Sequence, residues 1–415
     1  MIASRLAHCF YYRKPNRPCT QDRQGFVAIL AIILLSYKKL EIDQKLDKIS
    51  LYHDFLKIKM QKKIESLTIG IIGGGQLGRM TSHAAQSLGF NTIIFTDKKD
   101  SPAVQATQNS VIADYNDKDA LQEFAKKIDI ATFEFENIPV ASVEFLNSMK
   151  PVYPSANVLK ITQHRILEKS FLRDIGVEVA DFAVINNEND LLTNLKKFGG
   201  KAILKTATMG YDGKGQFVLE NESAARDALA KFDPQKQPLI LEKFCPFLSE
   251  ISVLVARSTN GEIACYEPLG NSHKNGILDV SVYPAKVQES TKNNAKKIAE
   301  KIAQNLDLQG VVAVEFFVME NEKLLVNELA PRPHNSYHFS QNGAITSQFE
   351  QLVRAITALP LGSTQFHSHG FMKNLIGDDV NNLQEFISNK NAKIHLYGKD
   401  KPQAGRKMGH VNVIS

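Results

Sequence analysis

Two neighbouring apolar runs carry acidic side chains where a buried strand should carry none. Val311–Val318 (VVAVEFFV) and Lys323–Leu329 (KLLVNEL) are separated only by Met319-Glu320-Asn321-Glu322. Such runs joined by so short a polar link predict a β-hairpin. The hairpin sets Glu315 nearly opposite Asn327-Glu328. A carboxylate among apolar neighbours is costly unless it is paired or bound to a cation. Two carboxylates and an amide, all oxygen donors, suit Mg²⁺ shared with nucleotide phosphates. A structural ion pair with a lysine is the plainer alternative.

A second pattern opens the ordered part of the chain. Leu67–Ile72 (LTIGII) reads as a buried strand, and Gly73, Gly75 and Gly78 follow as G-x-G-x-x-G. A helix through Leu88, a strand at Asn91–Thr96 and Asp97 complete a βαβ dinucleotide fingerprint. Alone it favours a nicotinamide enzyme, but any phosphate, or simple helix-on-strand packing, would use the same glycines. Further units follow: a strand at Val111–Ala113, a helix at Ala120–Lys127 and a strand at Ile130–Glu136 (IATFEFE). Glu136 and Gly75 then share the carboxyl edge of the sheet, where ligands gather in open α/β folds. Pro151 and Pro154 mark a boundary.

The middle of the chain reads as a small α+β unit. Residues 157–176 form a helix carrying Arg165 and Lys169, and Asp181–Val184 and Ala202–Lys205 are strands. Lys205 precedes Gly210-Tyr211-Asp212-Gly213-Lys214-Gly215-Gln216. This segment leads into a strand (Gln216–Leu219), whereas a P-loop leads into a helix. It therefore reads as a hairpin flap able to fold its N–H groups over phosphates. Pro238–Glu242 is an apolar strand, followed by Lys243, Phe244 and Cys245, a suitable edge for an adenine. Glu250 begins another strand, and His273 falls in a polar loop, Asn271–Gly276.

Composition excludes several classes. Hydrophobic residues make up 43% and charged residues 23%, ordinary values for a globular protein. The net charge of +6 lies entirely in residues 1–60, with eleven basic and five acidic groups. A basic nucleic-acid role would rest on that leader alone. Its apolar run Val27–Leu35 is shorter than the roughly 18–20 residues of a spanning helix. The leader is expected to be disordered or a start placed too early, with translation beginning near Met60. Cys9, Cys19, Cys245 and Cys265 include no CxxC pair, which fits a reduced cytoplasmic chain.

Lys205, the glycine flap, Glu242 and the acidic hairpin together resemble an ATP-grasp ligase. GGGQLGRM (73–80), FEFENIP (133–139), GYDGKGQ (210–216), NELAPRPHNS (327–336) and AGRKMGHVNV (404–413) occur in the order seen in N5-carboxyaminoimidazole ribonucleotide synthetases of purine biosynthesis. The resemblance covers about Leu67 to Val413. It implies an α/β architecture, an ATP-grasp fold with an N-terminal Rossmann-like domain and a small C-terminal domain. The expected divisions are a leader (1–60), a Rossmann-like domain that binds no dinucleotide (61–156), an ATP-grasp domain (157–355) with a lid at about 165–245, and a C-terminal domain (356–415).

The implied reaction uses ATP to phosphorylate bicarbonate; the amine of 5-aminoimidazole ribonucleotide then captures the activated carboxyl, without biotin. ATP and two Mg²⁺ ions are the implied cofactors, a homodimer the implied assembly, and neither nucleic acid nor membrane a partner. Arg165, Lys205 and the flap (Gly210, Tyr211, Asp212, Gly213, Lys214, Gly215, Gln216) would hold phosphates. Glu242, Lys243, Phe244 and Cys245 would frame the adenine, and Glu250 would accept from the ribose hydroxyls. Glu315 and Glu328 would hold Mg²⁺ beside Asn327. Lys205, His273, Arg332 and Lys407 form the catalytic set, with Arg332 orienting bicarbonate. Gly75, Gln76, Leu77, Glu136, Arg406 and Lys407 would receive the ribonucleotide, and Asn335 would bind substrate.

Two departures stand out. Tyr337 replaces the usual glycine of Asn-Ser-Gly-His, where added bulk is expected to clash if the backbone has positive φ. Relatives usually continue beyond the position of Ser415 with a further helix. Rival readings are a formate-dependent glycinamide ribonucleotide transformylase, a nicotinamide oxidoreductase and a non-catalytic nucleotide-binding regulator.

Overall fold

A computed structural model describes residues 67–208, 210 and 215–415. The leader, including Val27–Leu35, and the flap residues Tyr211 to Lys214 lie outside them.

Alternating apolar runs and glycine turns build the first layer. Strands β1 (Thr68–Ile72), β2 (Asn91–Thr96), β3 (Ser110–Ile112) and β4 (Ile130–Phe133) form a parallel sheet in the order β3-β2-β1-β4. Helices 118–125 and 140–147 bury Leu121, Phe124, Val143 and Leu146 against it. Asp117 starts the first of these by accepting from the Ala120 N–H at 3.0 Å, an N-cap that satisfies an otherwise orphan donor. The IATFEFE strand ends at Phe133, earlier than its pattern suggests, because Glu134 turns its side chain back under the glycine turn.

The helix expected over 157–176 is two helices, 156–162 and 165–174. The break has identifiable causes. Gln163 donates to the Glu136 and Ile138 carbonyls, and the Arg165 N–H goes to the Ala207 carbonyl at 2.8 Å. The second helix is thereby redirected, with Arg165 at its start.

A small antiparallel sheet follows, built from β5 (Phe182–Ile185), β6 (Ala202–Thr206), β7 (Gln216–Leu219) and β8 (Leu239–Lys243) in the order β5-β8-β6-β7. One face packs on helices 188–197 and 222–231. Strand alternation therefore sends Lys205 and Glu242 to the other face.

The remaining strands are β9 (Ser249–Arg257), β10 (Ile263–Cys265), β11 (Leu269–Lys274), β12 (Ile277–Tyr283), β13 (Gly310–Val318), β14 (Leu324–Ala330), β15 (Gly370–Ile376), β16 (Ala392–Leu396) and β17 (Lys407–Ile414). They form one sheet in the order β14-β13-β9-β11-β12-β15-β17-β16, with β10 beside β9. Helix 289–305 covers one face through Ala295, Ala299 and Ile302. β15 to β17 thus continue the sheet that carries the acidic hairpin, through the pairing of β12 with β15. Leu77, Met80, Phe349 and Tyr397 form a separate cluster. It holds the glycine turn of the first layer beside the β16–β17 connection.

Beneath that cluster lie three stacked imidazoles. His338 and His410 are 4.4 Å apart and His410 and His395 4.5 Å apart between ring centroids. His410 Nδ1 meets the Tyr397 hydroxyl at 2.8 Å. Burial, reinforced by neighbouring imidazoles, holds His338 and His410 well below the ordinary histidine pKa. They are neutral when folded, whereas unfolded imidazoles take up protons below about pH 6.5. Their stabilisation is therefore present above that pH and lost as pH falls, by at most about 1.4 kcal/mol per pH unit for each ring. Chemical denaturation at pH 7.5 and 5.5 should show this loss, and His410→Gln should reduce the slope; equal slopes would contradict the assignment.

Candidate active site

A cleft of about 370 Å³ opens between the carboxyl ends of the first sheet and strand β14. Gly75, Gln76, Leu77, Glu136, Arg165, Gly210, Glu328, Arg332, Asn335 and Lys407 all line it. Residues separated by more than three hundred positions in sequence thus share one cavity.

The acidic hairpin forms with Glu315 and Glu328 as direct partners. A register shift follows Glu315, so Phe316 pairs with Val326 and Asn327 is the extra residue. The carboxyls are held on one face by the ladder, and that face also presents Ser252, the partner of Glu315 on β9. Burial first, then the charge of Glu328, pushes the Glu315 carboxyl well above its ordinary pKa. His334 Nε2 lies 3.4 Å from Glu315 and Arg165 3.4 Å from Glu328. A largely buried carboxyl facing a second, partly exposed one favours a cation. No cluster of three or more potential protein ligands forms among the described residues. Two carboxylates nevertheless fit Mg²⁺, which commonly takes its other oxygens from phosphates and water.

On the small sheet, outside the residues that line this cavity, the Lys205 ammonium donates to Glu242 at 2.9 Å, and Lys169 stands 3.7 Å from the same oxygen. Burial works against ionisation of Glu242, yet Lys169 and Lys205 hold its carboxyl at about 2. Burial pulls the Lys205 ammonium below its ordinary value, opposed by Glu242. The Glu242 side chain therefore addresses the lysines, and only its backbone runs along the hinge segment. Lys243 pairs with Asp181 at 3.6 Å, Phe244 lies under the Lys201 ammonium, and Cys245 is half-buried.

His273 is not in a loop: it belongs to β11. Antiparallel pairing with β12 across the positive-φ turn Asn275-Gly276 carries it into the sheet despite its polar composition. His273 Nδ1 meets Glu250 at 2.7 Å. Burial would lower its pKa, but the bond to Glu250 carries it above the ordinary value. Gly215 has φ +72°, and an added Cβ would stand 2.7 Å from Thr206 Oγ1. The glycine there lets β7 return beside Lys205, which pairs with Gln216.

The G-x-G-x-x-G turn has an unexpected occupant. Glu134 accepts from the Gly75 N–H at 2.6 Å and the Gly78 N–H at 3.1 Å. A Cβ on Gly75 would stand 2.5 Å from its carboxyl oxygen. The start of helix 76–87, where a dinucleotide pyrophosphate would sit, is filled by the protein's own side chain. That is the physical objection to a nicotinamide site.

Arg332 reaches both oxygens of Glu136, at 2.8 and 2.9 Å. Arg332 Nε and both amide atoms of Asn335 are buried without a hydrogen-bond partner among the described residues. Such orphans are uncommon, and here they border the cleft. Lys407 lines the cavity, whereas Arg406 donates to the Lys401 carbonyl at 3.1 Å and is not among the lining residues.

Glu134, Gln163, Glu168 and His334 line the same cavity and escaped sequence reasoning. One signal was present. Arg165, Glu168 and Lys169 are spaced i, i+3, i+4 and so lie on one helix face.

Tyr337 fits without strain. It lies in a 3₁₀ turn, has no positive φ and is fully buried. Its hydroxyl lies 2.9 Å from the Ser252 and Glu267 carbonyls, and its ring meets Tyr266 edge-on at 5.7 Å. The expected clash does not occur.

Family profiles cover this region of the chain. A ribonucleotide synthetase preATP-grasp domain matches residues 66–163, an ATP-grasp domain 170–349 and a phosphoribosylaminoimidazole carboxylase C-terminal domain 370–415. N5-carboxyaminoimidazole ribonucleotide synthase of Brucella melitensis is 44% identical over 349 residues, spanning 84% of this chain and 96% of that protein. The Bacillus subtilis enzyme of the same name is 42% identical, spanning 83% and 91%. Among solved structures, the Staphylococcus aureus synthetase complexed with ADP superposes with a TM-score of 0.80 at 33% identity, covering 84% of this chain and 93% of that one. The Aspergillus clavatus enzyme in complex with ADP and 5-aminoimidazole ribonucleotide gives 0.80 at 29% identity, covering 85% and 94%.

Tyr337→Phe should destabilise the protein by about 1–2 kcal/mol through lost hydroxyl bonding, and Tyr337→Gly by more through the cavity left behind. Urea denaturation measures both; a glycine variant as stable as the original would show that the ring contributes nothing.

Proposed function

This chain belongs to the N5-carboxyaminoimidazole ribonucleotide synthase family of ATP-grasp enzymes, and on that premise we propose how its cleft carries out ATP- and bicarbonate-dependent carboxylation of 5-aminoimidazole ribonucleotide. One observation carries the reading. A single cavity joins Glu328 and Gly210 of the nucleotide half to Gly75–Leu77, Glu136, Arg332 and Lys407.

A bicarbonate oxygen attacks the γ-phosphorus of ATP, giving carboxyphosphate and ADP. The ribonucleotide amine then takes the carboxyl carbon, phosphate leaves, and the amine proton is released. Phosphoryl transfer needs positioning and charge neutralisation more than covalent chemistry. Arg165 and Lys205 supply positive charge on opposite sides of the phosphates. Lys205 reaches them from its ion pair with Glu242, which opposes the downward pull of burial on its ammonium. Glu315 and Glu328 would hold Mg²⁺, which offsets charge on the transferring group when bound. Glu250 accepts from the ribose hydroxyls while orienting His273. The hinge backbone at Glu242–Cys245 meets the adenine edge.

Arg332 and Asn335, with unsatisfied buried donors, face the position of bicarbonate. The Gly75–Leu77 turn, Glu136 and Lys407 face the ribonucleotide. Arg406 acts from outside the cleft in this reading, supporting the strand that presents Lys407. Water would hydrolyse carboxyphosphate, so the site must exclude it before chemistry. The proposal extends to a cytoplasmic homodimer, carried over from the family resemblance.

Lys205→Ala and Glu328→Gln should each lower bicarbonate-dependent ATP cleavage by about a thousandfold, measured by ADP release with saturating 5-aminoimidazole ribonucleotide. Near-normal turnover in either variant would remove that residue from the machinery. Lys407→Ala should instead raise KM for the ribonucleotide far more than KM for ATP.

A further inference from the structure

Strand β14 ends the order of the nine-stranded sheet, and among the described residues its outer side meets only an isolated bridge from Val179 to Val326. The register shift beside Asn327 removes further ladder support at the residue before Glu328. An acidic side chain on so weakly held a strand should wander. It is instead gripped by helix 165–174. The Lys169 ammonium donates to the Asn327 carbonyl at 2.8 Å, and Glu168 accepts from the Leu329 N–H at 2.6 Å. These two contacts take the peptide groups on either side of Glu328. The next segment joins in, with the Val326 N–H on the Glu178 carbonyl at 2.9 Å.

We propose that Glu168 and Lys169 are positioning residues that clamp the two peptide groups flanking Glu328 and so fix its carboxylate for the cation, an inference that rests on the nucleotide-site reading above. Both side chains are almost wholly buried, 2% and 1% exposed. A helix that needed charge only for solubility would not bury them. Their contacts are to main chain, whose position they constrain, and Arg165 on the same face meets the Glu328 carboxylate itself. Lys169 also stands 3.7 Å from Glu242, the partner of Lys205. One ammonium therefore sets the acidic strand and the phosphate lysine relative to each other. Helix, edge strand and small sheet meet at that atom.

The test uses the full chain and ADP, titrated calorimetrically with MgCl₂ and again with a chelator, with thermal midpoints recorded for each variant. Glu168→Leu and Lys169→Met should each reduce the Mg²⁺-dependent gain in ADP affinity by about tenfold, equivalent to about 1.4 kcal/mol. ADP binding in chelator should change little for Glu168→Leu. Glu168→Gln keeps an acceptor for the Leu329 N–H and should bind Mg·ADP as the unaltered chain does. A merely structural role would lower the thermal midpoint without moving the magnesium-dependent increment. An unchanged increment in Lys169→Met, or a tenfold loss in Glu168→Gln, overturns the clamp, and either is readable if Glu168→Leu fails to fold. Failure of the unaltered chain to bind Mg·ADP refutes the nucleotide site itself and takes the clamp with it.

Discussion

Glu315 and Glu328 are like-charged groups forced to face each other across one ladder, and the cleft is arranged around that constraint. Burial and the facing Glu328 push the Glu315 carboxyl upward, while Glu328 keeps part of its surface in the open cleft. Arg165, at a helix start, meets Glu328 itself, while Lys169 one turn later on the same helix and Lys205 on β6 meet Glu242. Glu242 balances the two lysines so that they do not repel each other unopposed. The result is a set of opposite charges alternating between helix 165–174, β14 and the small sheet.

Much of this was legible in the sequence because it depends on local rules. The acidic hairpin follows from two apolar runs and a four-residue link, and its register placed Glu315 against Glu328 as the spacing suggests. The β6–β7 hairpin was likewise visible from a strand lysine, a glycine-rich connection and a returning strand. The ordered blocks located the family, which the identity to curated relatives establishes.

What was hidden depends on distant partners. His273 is the exception: the Asn275-Gly276 pair is a local hairpin signal, and it sets His273 against Leu278 of β12. The helix break after Thr162 answers to carbonyls at Glu136, Ile138 and Ala207, which no local propensity encodes. Glu134 looked like one more acid in a strand pattern. Only the sheet shows it filling the glycine turn, which changes the meaning of the dinucleotide fingerprint. A clash at Tyr337 was expected only for a backbone with positive φ; the backbone there has none, and the ring packs edge-on against Tyr266.

The last strands are not an appendage. Since β15 hydrogen-bonds to β12 and β17 to β15, the ladder bearing the acidic pair runs without interruption into the carboxyl-terminal segment. Severing the chain between them would strip β12 of a neighbour and withdraw Lys407 from the cavity in the same cut. Modular exchange of that segment between relatives would accordingly trade part of the reaction centre along with it, and two separately produced halves would each present a raw edge prone to pairing with the wrong partner.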